Sequence, residues 1–301
     1  MSLKIEDLSI SSLDGKEILK DINLEIKEGE WIGLAGENGS GKTTLLRAIL
    51  RVLPERMFFR KGRIILDGKD LLKVSEKEIR QIRGKEIFMI IQEPHLYFNP
   101  SINIFKQIEE FALSHGLDKN QIRERIFSSL ELAGFEEPEK WLKMFPFQLS
   151  SGMLQRIGIG MALLHESKFI LADEPTSSLD NVHEKQIINL FISLKNIKKI
   201  GFIFVTHRID LLKGITEKTV IIYKGYILEV GKTDNLFLEP FHPYTSALLG
   251  KPLFRKYHFK RIENQNSCFF SSFCPSKMKK CEEMPPIFEK YGRVVRCWLY
   301  E

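Results

Sequence analysis

Cysteine is missing from the first 267 residues of this 301-residue chain, and all four copies fall between Cys268 and Cys297. A framework of disulfides spread over the fold is thereby excluded. No apolar run approaches the ~18 residues that a membrane-spanning helix needs. "EIFMII" (86–91) and "KFILA" (168–172) have the length of buried strands. The opening "MSLKIEDLSI" has no basic segment leading into an apolar core, so no secretory signal is expected. A cytosolic chain with reduced thiols follows as an expectation. Charge of one sign is not dominant either. Formal net charge is +6, and bases alternate with acids, as in "KVSEKEIRQIRGKE" (73–86), which reads as solvated surface rather than a nucleic-acid or membrane patch. No internal repeat or heptad run is present.

What is present is an alternation of short β-branched or aromatic runs with helical patterns, which implies an α/β domain with a mainly parallel sheet. "GRIILDGKDLL" (62–72) predicts a hairpin turning at Asp67-Gly68. From about Phe98 to Pro146 the strand signal fades and apolar residues recur at three- and four-residue spacing, predicting a helical insertion. Strands return at 168–175, 201–207 and 218–231. Beyond Lys251 the pattern dissolves into a basic, aromatic, cysteine-bearing tail.

"GENGSGKT" (36–43) lies between a strand predicted at Trp31–Ala35 and a helix predicted from about Lys42. The G-x-x-x-x-G-K-T pattern in that setting is a phosphate-binding loop, in which glycines let backbone N–H groups converge on phosphates. Gly36, Glu37, Asn38, Gly39, Ser40, Gly41, Lys42, Thr43 and Thr44 are expected to bind a nucleoside triphosphate. Lys42 should reach the β- and γ-phosphates, and Thr43 should offer its hydroxyl to Mg²⁺. "FILADE" (169–174) delivers two carboxylates at the end of a buried strand: Asp173 for Mg²⁺ and Glu174 as general base toward water. "GFIFVTH" (201–207) brings His207 to the same sheet edge, where ligands of open α/β sheets bind. "LSSGMLQR" (149–156) opens a helix whose N-terminal Ser150, Ser151 and Gly152 suit a γ-phosphate. Gln92, in "IQEP" (91–94), stands where the core leaves for the helical insertion and is expected to touch Mg²⁺ or the water.

In this order, over residues 1 to about 250, these segments resemble the ATP-binding subunits of ABC transporters. "GENGSGKTT" is similar to that family's Walker A, "IQEP" to its Q-loop, "LSSGM" to its signature and "ILADEP" to its Walker B. "SSLD" (177–180), with Asp180, resembles its D-loop, and "VTH" its switch histidine. The resemblance implies a P-loop NTPase core of the ABC ATPase kind at 1–250, with antiparallel β strands and a helical subdomain at about 95–155. A cysteine-bearing C-terminal extension follows at 251–301. It further implies a head-to-tail dimer with a second ABC ATPase subunit, either identical or a paralogue. Each ATP would then lie between the P-loop of one subunit and the signature of the other. Two transmembrane permease subunits and, indirectly, an extracytoplasmic substrate-binding protein complete the implied assembly, with this chain peripheral on the cytoplasmic face of the plasma (inner) membrane. No nucleic acid is among the implied partners.

"GYILEVGKTDNLFLEPFHPYTSALL" (225–249) is similar to the dipeptide, oligopeptide and nickel importer ATPases, so peptide and nickel both stand as substrates. On residues alone, "FHPYT" is only a turn. The alternative function is a soluble ABC ATPase acting on nucleic acid, although such relatives usually add a long coiled coil or a second cassette. Three positions depart from the family pattern: Ser12 stands where an adenine-stacking aromatic is usual, Ser151 where glycine is, and Arg208 where an acid is common. Leu96, Tyr97 and Phe98 are expected either to pack the helical subdomain or to line a groove for a short helix of the membrane subunit. Cys268, Cys274, Cys281 and Cys297, spaced C-x5-C-x6-C-x15-C, lack the short pair usual for zinc and are expected to hold a [4Fe–4S] cluster. Zinc or unliganded thiols are the alternatives. Phe269, Phe270, Phe273 and Trp298 should shield that site, and Lys277, Lys279, Lys280, Arg293 and Arg296 should offset its charge.

Overall fold

The computed structural model describes residues 1–197, 199–251 and 267–301. The part of the expected extension at 252–266 lies outside the described residues. The chain begins with an antiparallel hairpin, β1 (Ser2–Ser12) and β2 (Glu17–Lys27). Ser12 closes its turn by donating to Asp14 and to the Lys16 carbonyl. β3 (Trp31–Ala35) then runs into the glycine-rich loop and α1 (Lys42–Ile49). β4 (Met57–Leu66) and β5 (Lys69–Asp70) form the predicted hairpin, with Asp67 and Gly68 both at positive φ and Leu66 paired with Lys69. α2 (Glu76–Ile82) starts from a Ser75–Glu78 capping box and leads to β6 (Ile87–Ile90).

The helical insertion comprises α3 (Ile104–Ser114), α4 (Ile122–Leu132), α5 (Pro138–Leu142) and α6 (Ser151–Leu164), so its last helix continues past residue 155. The core resumes with β7 (Phe169–Asp173), α7 (Asn181–Ile197), β8 (Gly201–Thr206), β9 (Lys218–Tyr223) and β10 (Tyr226–Lys232). α8 (Thr233–Leu238) and α9 (Pro243–Leu248) follow, and the tail adds β11 (Phe288–Lys290) and β12 (Arg293–Val295). Two sheets result, ordered β2-β1-β4-β5 and β11-β12-β10-β9-β3-β8-β7-β6.

The larger sheet is parallel from β9 through β3, β8 and β7 to β6 and antiparallel beyond β9. Its central strands are apolar on both faces, as burial on both sides demands. Trp31, Phe202 and Phe204 face the helical side, where Trp31 stacks on Phe202 with ring centroids 4.2 Å apart. Ile32, Ile203 and Val205 face the smaller sheet and α1. The tail is less irregular than its sequence suggests, since β12 pairs with β10 and β11 with β12. No helix among the described residues is long and apolar enough to cross a membrane.

Candidate active site and cysteine cavity

The carboxyl ends of β3, β7 and β8 bring the phosphate loop, Asp173, Glu174 and His207 to one place. Lys42 is buried, and its Nζ donates to the carbonyls of Gly36 (2.8 Å) and Glu37 (2.9 Å). The loop also requires glycine for packing. A Cβ on Gly36 would collide with the Ile222 carbonyl of β9, and Gly41, at φ +107°, would set one 2.6 Å from Leu19. Thr43 Oγ1 donates to Asp173 Oδ1 at 3.0 Å. Burial pushes the Asp173 carboxyl above the usual range, a penalty that a divalent cation beside it would relieve. The paired hydroxyl and carboxylate therefore fit Mg²⁺.

Glu174 adopts a left-handed backbone (φ +47°), uncommon for a residue with a side chain and concentrated at functional sites. Its N–H donates to the Val205 carbonyl, which ties the turn to β8. The carboxylate is held from two sides, by His207 Nδ1 at 2.8 Å and Lys42 Nζ at 3.9 Å. This is the arrangement expected of a general base aimed across the phosphate loop.

The signature residues stand apart from this group. Ser150 caps α6 by accepting from the Met153 N–H, Ser151 is exposed, and a Cβ on Gly152 would lie 3.0 Å from the His183 ring of α7. Asp180 accepts from the N–H groups of Val182 and His183 and pairs with His183 Nδ1 at 2.7 Å; these bonds hold its carboxyl below the usual range. Gln92 is exposed, and its carbonyl accepts from the Ser178 hydroxyl at 3.3 Å. Arg208, in place of an acid, pairs with Glu184 and Asp210. Of the three candidate groove residues, Phe98 is buried. The Tyr97 hydroxyl donates to the Met89 carbonyl and accepts from the Ile91 N–H, so Tyr97 packs inward. Leu96 alone remains on the surface, 67% exposed.

All four cysteines line one small cavity, together with His242 and Trp298. The tail's backbone brings them there: Cys268 N–H donates to the Cys281 carbonyl, and the Arg296 N–H beside Cys297 donates to Leu228 of β10. Burial pushes three of these thiols up, Cys274 to about 11 and Cys297 to about 12, with Cys268 raised as well. Metal binding at neutral pH would therefore displace protons. Among the described residues, no three His, Cys, Asp or Glu side chains are grouped closely enough to hold a single metal ion. Phe270 and Trp298 line the cavity as shields, whereas Phe269 packs on Tyr226 instead. None of the five predicted counter-charges lines it. Arg293 faces Glu229 and Phe241, Arg296 lies over Tyr226, and Lys280 pairs with Glu301.

The sequence reading missed the role of "FHPYT". It opens α9 rather than forming a plain turn, with His242 as N-cap and Pro243 in the first turn. Phe241 and His242 donate their N–H groups to the fully buried Glu229 carboxylate, both at 2.9 Å. Burial pushes His242 down to about 3, against the Arg296 carbonyl, which favours the charged ring. Tyr244 is buried, and its hydroxyl accepts from the Glu37 N–H at 3.0 Å.

A P-loop, two carboxylates and a histidine on neighbouring strand ends, joined to a serine-capped helix on an inserted subdomain, define an ATPase of the cassette class. The pattern of the ABC transporter family matches residues 19–177, and this chain belongs to that family as an ATP-binding, ATP-hydrolysing subunit. A second pattern, the oligopeptide/dipeptide transporter C-terminal region, matches residues 228–252. The chain is 38% identical over 252 residues to the oligopeptide transport ATP-binding protein OppD of Bacillus subtilis, covering 82% of this chain and 70% of that one. It is 32% identical over 262 residues to the metal-staphylopine import system ATP-binding protein CntD of Staphylococcus aureus, covering 86% and 96%. Its fold is similar to the dimeric post-hydrolysis structure of the cassette MJ0796 bound to ADP and Pi, with TM-score 0.66, 26% identity and coverage of 77% and 98%. These similarities favour transport over the nucleic-acid alternative.

Proposed function

We propose that this chain energises peptide uptake as one of two ATPase subunits on the cytoplasmic face of the membrane. Two transmembrane permease subunits and an extracytoplasmic substrate-binding protein complete the system. The peptide assignment rests on the match of residues 228–252 to the oligopeptide/dipeptide transporter region. The similarity to CntD favours a metal complex as the second reading. The observation that carries hydrolysis is Glu174, poised between His207 and Lys42 one residue beyond the Thr43–Asp173 pair. The phosphate loop, Gly36 to Thr44, holds the nucleotide. Thr43 and Asp173, with Gln92, would hold Mg²⁺, which would neutralise phosphate charge. Glu174 takes a proton from the attacking water as the water oxygen bonds to the γ-phosphorus and the bond to the ADP oxygen breaks. Ser150, Ser151 and Gly152 serve the ATP of the partner subunit, and Asp180 lies at the shared interface. The dimeric MJ0796 structure supports that assembly. Ser151 departs from the usual glycine, which favours a paralogue over a second copy as the partner.

Co-expression with the permease subunits should recover a membrane complex whose ATPase rises with peptide and its binding protein. Leu96, exposed where the helical subdomain begins, is the one of the three candidate groove residues left open to a permease helix. Leu96→Asp should abolish that stimulation while leaving nucleotide binding unchanged. Equal stimulation of the variant would move the contact elsewhere. ATPase stimulated by DNA but not by peptide would reject the assignment.

The cysteine cavity is proposed to hold a [4Fe–4S] cluster. Four thiols on one cavity wall are the donor set it needs. The long spacing C-x5-C-x6-C-x15-C, without the short pair usual for zinc, favours the cluster over a single zinc ion. A buried cavity wall also limits solvent access, as such centres favour. Anaerobically purified protein should be brown and contain iron and sulfide, and Cys281→Ser should lose the colour while still binding MgATP. Colourless protein with stoichiometric zinc would refute the cluster.

A further inference from the structure

Residues 242–244 touch both centres described above. His242 lines the cysteine cavity and is 1% exposed. Its Nδ1 accepts from the Tyr244 N–H at 3.0 Å, so the neutral ring carries its proton on Nε2. Nε2 is buried without a well-formed hydrogen bond among the described residues, although the Arg296 carbonyl acts on the ring as an acceptor. A buried donor so poorly satisfied is costly, and the thiol sulfurs lining the same cavity are further acceptors open to it. Two residues along, the Tyr244 hydroxyl accepts the Glu37 N–H of the phosphate loop, and the Glu37 carbonyl holds Lys42 Nζ at 2.9 Å. The Tyr244 ring packs between Tyr223 and Phe270, at centroid distances of 4.4 and 5.5 Å, and Phe270 also lines the cavity. Glu229 clamps the start of the segment through two backbone bonds, so a displacement of His242 is passed on rather than absorbed locally.

We propose that His242 and Tyr244 couple the cysteine cavity to the nucleotide site. His242 donates from Nε2 to a sulfur of the group the four thiols hold. Tyr244 is a positioning residue that fixes Glu37, and through it Lys42, in the geometry that receives phosphates. The link rests on the reading of the cavity as a metal centre. Because coupling between two binding sites is reciprocal, nucleotide should also slow loss of the centre.

The test uses the full chain prepared anaerobically, either reconstituted with ferrous iron and sulfide or stripped by chelator. Iron, sulfide and zinc are assayed on each sample, and MgADP affinity is measured by calorimetry. The loaded form should bind MgADP about fivefold or more tightly than the stripped form, within the usual span of such coupling. Tyr244→Phe keeps the ring packing and removes the acceptor, so loaded and stripped forms should then bind alike. A purely structural tyrosine would instead weaken both forms and preserve their ratio, which would overturn the proposal. His242→Asn retains a side-chain oxygen to cap α9 but withdraws the Nε2 donor. It should lower the reduction potential of the bound cluster, since hydrogen bonds to sulfur favour the more negative reduced state. An unchanged potential would remove the donor role. Equal MgADP affinity of the loaded and stripped wild type would sink the link while leaving the cluster intact. Protein that takes up neither iron with sulfide nor zinc would sink the cavity reading itself, and the link with it.

Discussion

Glu174→Gln is expected to bind MgATP normally and to lose about 10²- to 10⁴-fold in turnover, the usual contribution of a positioned general base. The amide matches the carboxylate in shape and still reaches His207, so the left-handed turn at residue 174 and its bond to Val205 should survive. What disappears is the ability to take a proton from water. His207 lies 2.8 Å from the carboxylate and is 43% exposed, which suits it to orient Glu174 rather than replace it. Single-turnover hydrolysis of bound ATP separates the outcomes. A rate within about threefold of wild type would place the base elsewhere.

Lys42→Ala should fail one step earlier, at binding. The ammonium is 5% exposed and pushed down in pKa by burial, with the nearby Glu174 and Asp173 working the other way. It is already desolvated and directed along the loop, so triphosphate gains a charged partner without first drying it. Hydrogen bonds to charged groups contribute about 1.5–3 kcal/mol each. Losing one such bond corresponds to about 10- to 100-fold in affinity. Alanine also leaves the Gly36 and Glu37 carbonyls without their present donor. Calorimetry of MgATP binding decides the matter, and an unchanged Kd would show that Lys42 does not meet the phosphates.

The contrast between what was legible in the chain and what was not follows from range. β3, β7 and β8 announce themselves because burial on both faces selects apolar residues almost throughout, and the acids stand out at the end of β7. Asp67-Gly68 declares its turn through backbone preference, although Asp67 is also tied to the distant Ser2 by two hydrogen bonds. β11 and β12 escape notice because three residues are too few to display a period of two, and β12 joins the sheet through its pairing with the distant β10. Tyr97 and Leu96 are adjacent aromatic and aliphatic residues in one short 3-10 turn, and only the fold decides that one turns inward and the other out. "FHPYT" carried a local message, proline near the start of a helix, and a distant one. The bond from Glu37 to Tyr244 spans 207 positions, and no periodicity encodes it.

The position of β12 has a kinematic consequence. An unbroken ladder of backbone bonds runs from β3 through β9 and β10 to β12, and the Ile222 carbonyl of β9 lies against Gly36 of the loop. The phosphate loop and Cys297, which follows β12, are thereby anchored to the same sheet. The helices α3–α6 attach to it through the connections at either end of the insertion, around residues 91–98 and 164–169. Those two connections are the covalent hinges open to the helices, whereas Cys297 and the cavity it lines lie toward the β12 edge of the sheet.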